Sequence, residues 1–185
     1  MLSVLPIVVT LLVAGGGWLF TYLNSRNQEN KKAELALVNQ KLRLLYGPLY
    51  ARLLAIDTAW KAFAEINWPA HGQSGYFSDG YETTEAEAEV WRVWMRYVFH
   101  PMNMKLEEII VGSLDLVEGG EMPKAFTDAL AHIAVYKAVL QEWETGNYER
   151  NTSAINFPIA ELLAAVEPAY KSLLSRQAYL SGRSP

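Results

Sequence analysis

The amino-acid sequence predicts an all-α protein, with a single N-terminal transmembrane helix followed by an antiparallel bundle of about four long, partly kinked helices. Three observations carry this. Val4 to Leu23 is an uncharged, apolar run of about 20 residues, enough helix to cross the roughly 30 Å hydrocarbon core of a bilayer. Downstream, apolar residues recur at steps of three and four, the period of a helix face. No run of alternating apolar and polar residues long enough for a strand is visible.

The first 25 residues contain no charged side chain. A cleaved secretory signal would want a basic start, a shorter apolar stretch and small residues at its end. Here no Lys or Arg precedes the run, and Ala14 to Gly17 sit in its middle, followed by bulky Trp18, Leu19, Phe20 and Tyr22. An uncleaved anchor fits better, with Trp18 and Tyr22 toward the headgroup zone that aromatic rings prefer. Between Arg26 and Leu45 stand Arg26, Lys31, Lys32, Lys41 and Arg43 against Glu29 and Glu34. The positive-inside rule then places the N-terminus outside and the C-terminal part in the cytoplasm, at the inner (cytoplasmic) membrane. The expected organisation is an anchor over 1–25, a cytoplasmic helical domain over 26–182 that begins with a basic juxtamembrane linker at 26–34, and a tail at 183–185.

Within the domain, Leu35, Val38, Leu42, Leu45, Leu49, Leu53, Ile56, Trp60 and Phe63 line one face of a helix over about 30–66. Gly47-Pro48 is expected to kink or briefly break it, because proline removes one hydrogen bond and crowds the carbonyl four residues back. Tyr46 and Tyr50, four apart, are expected to pack as an aromatic pair at that bend. Residues 67–83, with Trp68, Tyr76, Phe77 and Tyr81 among glycines and prolines, read as a long loop.

Thr84 and Glu87 form a capping box for the next helix. That helix carries Val90, Trp91, Trp94 and Val98 to His100-Pro101, and resumes through Leu106, Ile110 and Val117 to Gly119-Gly120. Pro123 opens a helix ended by Gly146-Asn147. Pro158 opens the last one, in which Pro168 is expected to introduce a kink.

Charge is uneven along the chain. Residues 26–61 hold seven bases and three acids, whereas 62–185 hold nine bases and seventeen acids. An acidic body is repelled by phosphate backbones, which argues against a nucleic-acid partner. With no cysteine, three histidines and no Glu-x-x-His pair, the sequence offers no metal site of a recognisable kind and no cofactor motif. No catalytic residue is assigned.

The remaining candidates are aromatic. His132, Tyr136 and Trp143 share one helical stripe, within reach of Glu107, Glu108 and Asp115 on the preceding helix. Together with Trp91, Trp94, Phe77 and Tyr81 they are the expected partner- or ligand-binding residues. The bland reading of the stripe is core lining whose polar tips bond locally. The function these features suggest is a non-enzymatic, membrane-anchored interaction protein, a scaffold or accessory subunit. Its partners would be the lipid bilayer and another protein, with a second copy of the chain also compatible. The alternative is a membrane-tethered sensor or effector that binds a small ligand inside the bundle.

Overall fold

The computed structural model describes residues 5–67 and 83–182, with side chains from residue 15 onward. Among these residues the chain is all-helical, without a strand. Six α-helices are present: α1 (Leu5–Lys41), α2 (Gly47–Asn67), α3 (Glu85–Trp94), α4 (His100–Gly112), α5 (Lys124–Glu144) and α6 (Ile159–Leu180). Four of them, α1, α2, α5 and α6, exceed twenty residues and are the long helices of a bundle. Trp68, Tyr76, Phe77 and Tyr81, with the tail 183–185, lie outside the described residues.

Among the described residues no helix is long and apolar enough to cross a membrane. In α1 the described side chains begin at Gly15, and eleven uncharged residues run from there to Ser25 before Arg26. That is about 16 Å of helix, half of a bilayer core. Residues 26–34 are helical too, so α1 runs unbroken from the apolar run into the basic stretch.

The helical run continues through Gly47-Pro48, where a kink or a brief break was expected. Pro48 has no N–H for the carbonyl of Leu44, and its ring crowds that oxygen. The chain responds with one wide π-helical turn, Leu42–Tyr46, closed by the Gly47 N–H donating to Leu42 O. A second joint repeats the device: Met95–Phe99 is π-helical and the His100 N–H donates to Met95 O, one residue before Pro101. At the first joint a side chain on Gly47 would collide with the Leu42 carbonyl, which accounts for glycine there. Pro168 lies within α6, which continues on both sides of it.

The tyrosines beside Pro48 part company. Tyr46 is buried and its hydroxyl accepts the Glu118 N–H, while Tyr50 stacks on Tyr170 with ring centroids 5.0 Å apart. Beyond Gly112 the expected helix gives way to two short 3-10 turns, Leu114–Leu116 and Glu118–Gly120. Gly119 and Gly120 take φ of 79° and 73° there, a region open to glycine at little cost. α3 opens on the predicted capping box, with Thr84 and Glu87 each bonding the other's backbone N–H. α5 closes in a Schellman arrangement: the Gly146 N–H donates to Trp143 O and the Asn147 N–H to Glu142 O, with Gly146 at φ 80°.

The chain divides into two compact units, one of residues 1–39 with 174–185 and one of residues 40–173. In the first, Arg176 pairs with Glu34 at 2.5 Å and Gln177 donates to Asn39 at 2.6 Å. Every side chain from Gly15 to Ala33 in this unit is exposed. In the second, the stripe read from the sequence is the buried face of α2, with Leu49, Leu53 and Phe63 fully buried. Leu106, Ile110, Phe126, Ile133, Leu162 and Val166 complete that core.

Candidate functional site

An aromatic cluster forms the upper part of the 40–173 core. Phe63 of α2, Trp91, Met95 and Phe99 along α3 and its π-turn, and Tyr136, Val139 and Trp143 of α5 are buried together. Trp60 and Trp94 pack on them half-buried, with Trp60 edge-on to Trp91 at 6.0 Å and Phe63 5.2 Å from Trp94.

The polar tips of Trp91, Tyr136 and Trp143, and that of His132 beside them, reach one irregular segment, residues 150–155. Trp143 Nε1 donates to Arg150 O at 2.7 Å. Trp91 Nε1 and the Tyr136 hydroxyl both donate to Asn151 O, at 2.6 and 3.0 Å. His132 Nδ1 bonds Ile155 O at 2.5 Å. A carbonyl only accepts, so Nδ1 carries the proton and Nε2 of the neutral ring is an acceptor. Arg92, 1% exposed, ties α3 to the same segment. It donates to Asn151 Oδ1 at 3.2 Å, pairs with Glu85 and Glu89, and lies 4.4 Å from the Tyr148 ring centroid. The segment is thus a strap, strung between the Schellman end of α5 and the start of α6, and held by side-chain donors from two helices.

Beneath the strap lies a cavity of about 690 Å³. Ile56, Asp57 and Trp60 of α2, Trp91, Met95 and Phe99, Asn103 of α4, His132 and Tyr136 of α5, and residues 151–153 and 155–157 line it. Asp57 pairs with Lys61 at 2.5 Å, and no Lys or Arg is among the lining residues described. Burial pushes the His132 pKa below the usual histidine value; the bond to Ile155 opposes this and nearby His100 adds to it. His100 is lowered as well, by burial first and by Lys137 second, against the pull of Glu107.

Two buried polar atoms of α4 have no partner. Asn103 is 4% exposed and its Oδ1 makes no hydrogen bond, and neither does Nδ1 of His100, one turn earlier on α4.

The structure therefore brings Trp91, His132 and Tyr136 together around one cavity, while Trp94 and Trp143 belong to the cluster behind it. Phe77 and Tyr81 lie outside the described residues. Two of the three acids expected to meet the stripe are engaged elsewhere: Glu107 pairs with Lys137 at 2.8 Å and Glu108 with Lys105 at 2.9 Å. The stripe is served by strap carbonyls instead, which no side-chain pattern reveals. Asn103 was overlooked by the sequence reading. Its signal is a lone amide continuing the four-residue steps of Trp91, Met95 and Phe99. Among the described residues no group of three His, Cys, Asp or Glu side chains is arranged to hold a metal ion.

No family model matches this chain, and no curated protein or solved structure matches it either.

Proposed function

We propose that this chain is a helical protein held at a membrane by the apolar part of α1, whose 40–173 unit binds a small molecule in the cavity under the strap. The observation that carries the binding reading is the cavity itself. It falls in the roughly 300–1,000 Å³ range of ligand sites and combines aromatic walls with a few polar groups. The role is that of a tethered sensor or effector, with no catalytic step. Membrane attachment is supported by the uncharged run and by large apolar side chains that find no cover. Trp18, Phe20 and Leu23 are 70%, 74% and 54% exposed on a helix that continues into the basic flank. The same flank supports an N-out, C-in orientation at the inner membrane.

Purification of the full chain in mild detergent, followed by native mass spectrometry, tests the binding reading. The expected result is a stoichiometric bound small molecule that is lost when Ala88, a buried residue lining the cavity, becomes Phe. A reporter fused after Pro185 tests the orientation; activity of a periplasm-dependent reporter there overturns it.

Docking of a protein partner is the second reading, and one feature favours it. Val90, Val93 and Tyr97 lie three and four residues apart and are 38%, 42% and 76% exposed. A stoichiometric protein in the same purification, lost on Tyr97→Glu, would support docking over ligand binding.

A further inference from the structure

The charges around the cavity narrow what it takes. We infer that its ligand carries a methylated ammonium group, held where Asp57 and Trp60 border the cavity together; this rests on the ligand-binding reading above. Asp57 is the one acid among the lining residues described, and none of those residues is a Lys or Arg. The space is therefore one-sided: it offers a carboxylate to a cation and no counter-charge to an anion. The wall donors add to this bias. Trp91 Nε1 and the Tyr136 hydroxyl donate to Asn151 O and His132 Nδ1 to Ile155 O, so these dipoles serve the strap rather than a negative ligand.

The aromatic walls favour an ammonium over an uncharged molecule. Trp60 follows Asp57 by one turn of α2, and both border the cavity. The Trp60 ring stands perpendicular to that of Trp91, with centroids 6.0 Å apart. Two perpendicular rings enclose a corner with a π face on either side, and such faces attract an ammonium electrostatically. Methylation suits the place further. A quaternary nitrogen has no N–H to satisfy, sheds its weakly held water readily, and packs its methyl groups on the rings.

Asp57 is available because its present partner holds it loosely. The Lys61 side chain is 72% exposed and that of Asp57 24%, and Lys61 is not among the lining residues. An exposed pair one turn apart contributes little and is readily exchanged for another cation. The charge belongs on this side of the cavity and not beside His132, where burial, with nearby His100, presses the imidazole toward its neutral form.

Calorimetry on the full chain in dodecyl maltoside, a detergent without an ammonium group, tests this. The probes are choline, its uncharged carbon isostere 3,3-dimethylbutan-1-ol, the anion 3,3-dimethylbutanoate, and phosphocholine. Choline should bind about ten-fold tighter than the alcohol, the size of a partly desolvated cation–π contact beside a carboxylate, and the anion weaker still. Asp57→Asn should cost choline about ten-fold and leave the alcohol unchanged, while Lys61→Gln should tighten choline about two-fold by removing its competitor. A structural role of the pair does not move choline in opposite directions in the two variants. If the alcohol or the anion matches choline, if Asp57→Asn binds choline unchanged, or if both variants shift it the same way, the ligand class is overturned and the cavity remains a ligand site. Phosphocholine should bind more weakly than choline, since no lining base receives its phosphate; equal or tighter binding makes a lipid headgroup the ligand and overturns the class as stated. If no probe binds, the molecule carried by the purified chain decides. An ammonium compound upholds the class, an anion or an uncharged molecule overturns it, and the lack of any bound molecule fells the ligand-binding reading itself.

Discussion

On α5, the polar tips of His132, Tyr136 and Trp143 each end on a backbone carbonyl of the strap. On α4, His100 Nδ1 and Asn103 Oδ1 are closed off from water with nothing to bond. Both helices contribute a side chain to the same cavity. The first arrangement is what folding stability demands of buried polar groups. The second works against it by about 1–3 kcal/mol for each orphaned group. Paired atoms therefore mark what holds the bundle together, whereas the unpaired ones add nothing to its stability.

That contrast can be broken most easily at Trp143, the residue with the largest buried volume on the paired side. Trp143→Ala should destabilise the protein by about 3–5 kcal/mol, through the cavity it leaves and the bond lost at Arg150 O. A urea unfolding curve that moves by less than about 1 kcal/mol would make the paired side dispensable. Arg92→Met should come next, at about 2 kcal/mol. It keeps the aliphatic stem but loses the charge-assisted bonds to Glu85, Glu89 and Asn151. Thermal melts of Arg92→Met beside Glu85→Gln separate the guanidinium's several bonds from a single one.

Acid sharpens the comparison further. His132 and His100 both have folded-state pKa values depressed chiefly by burial, below an unfolded value near 6.5. Below about pH 6.5 the unfolded chain takes up protons that the folded chain resists. The stability these residues confer is therefore complete above that pH and is lost as pH falls through the folded values. The loss is bounded at about 1.4 kcal/mol per pH unit per histidine. Melting temperatures at pH 7.5 and 5.0 should differ in the wild type and differ less in His132→Gln. The smallest expected effect on the paired side is Tyr136→Phe, about 1 kcal/mol, because Asn151 O keeps its bond from Trp91. A much larger drop in the melt would show that the hydroxyl does more than fasten the strap.

The helical stripes were legible from the sequence because apolar spacing is a local property. Leu45, Leu49, Leu53, Ile56 and Phe63 are buried as their spacing predicts, and Thr84 and Glu87 cap the helix they announce. Gly47-Pro48 and His100-Pro101 were legible as disturbances, though not as π-turns. Whether proline breaks, bends or widens a helix is decided by the packing on either side of it. The strap could not be read at all, because its bonding groups are backbone carbonyls of residues 150, 151 and 155, whose side chains are incidental to the role. Asn103 was visible as a polar residue, but only burial without a partner distinguishes it from any other helical asparagine.

The second π-turn has a rotational consequence. An α-helix advances about 100° per residue, so Trp91 and Asn103, twelve positions apart, would point about 120° away from each other on a regular helix. A π-turn acts like one residue slipped into the spiral, and it brings that angle down to about 20°. Trp91, Met95, Phe99 and Asn103 consequently line one cavity in three successive steps of four. The turn at Met95–Phe99 is a phase corrector between the aromatic wall and the amide. Winding that turn as regular α-helix at its present length would leave composition and hydropathy unchanged, yet would swing everything from His100 to Gly112 through about 100° and carry Asn103 out of the cavity it now lines.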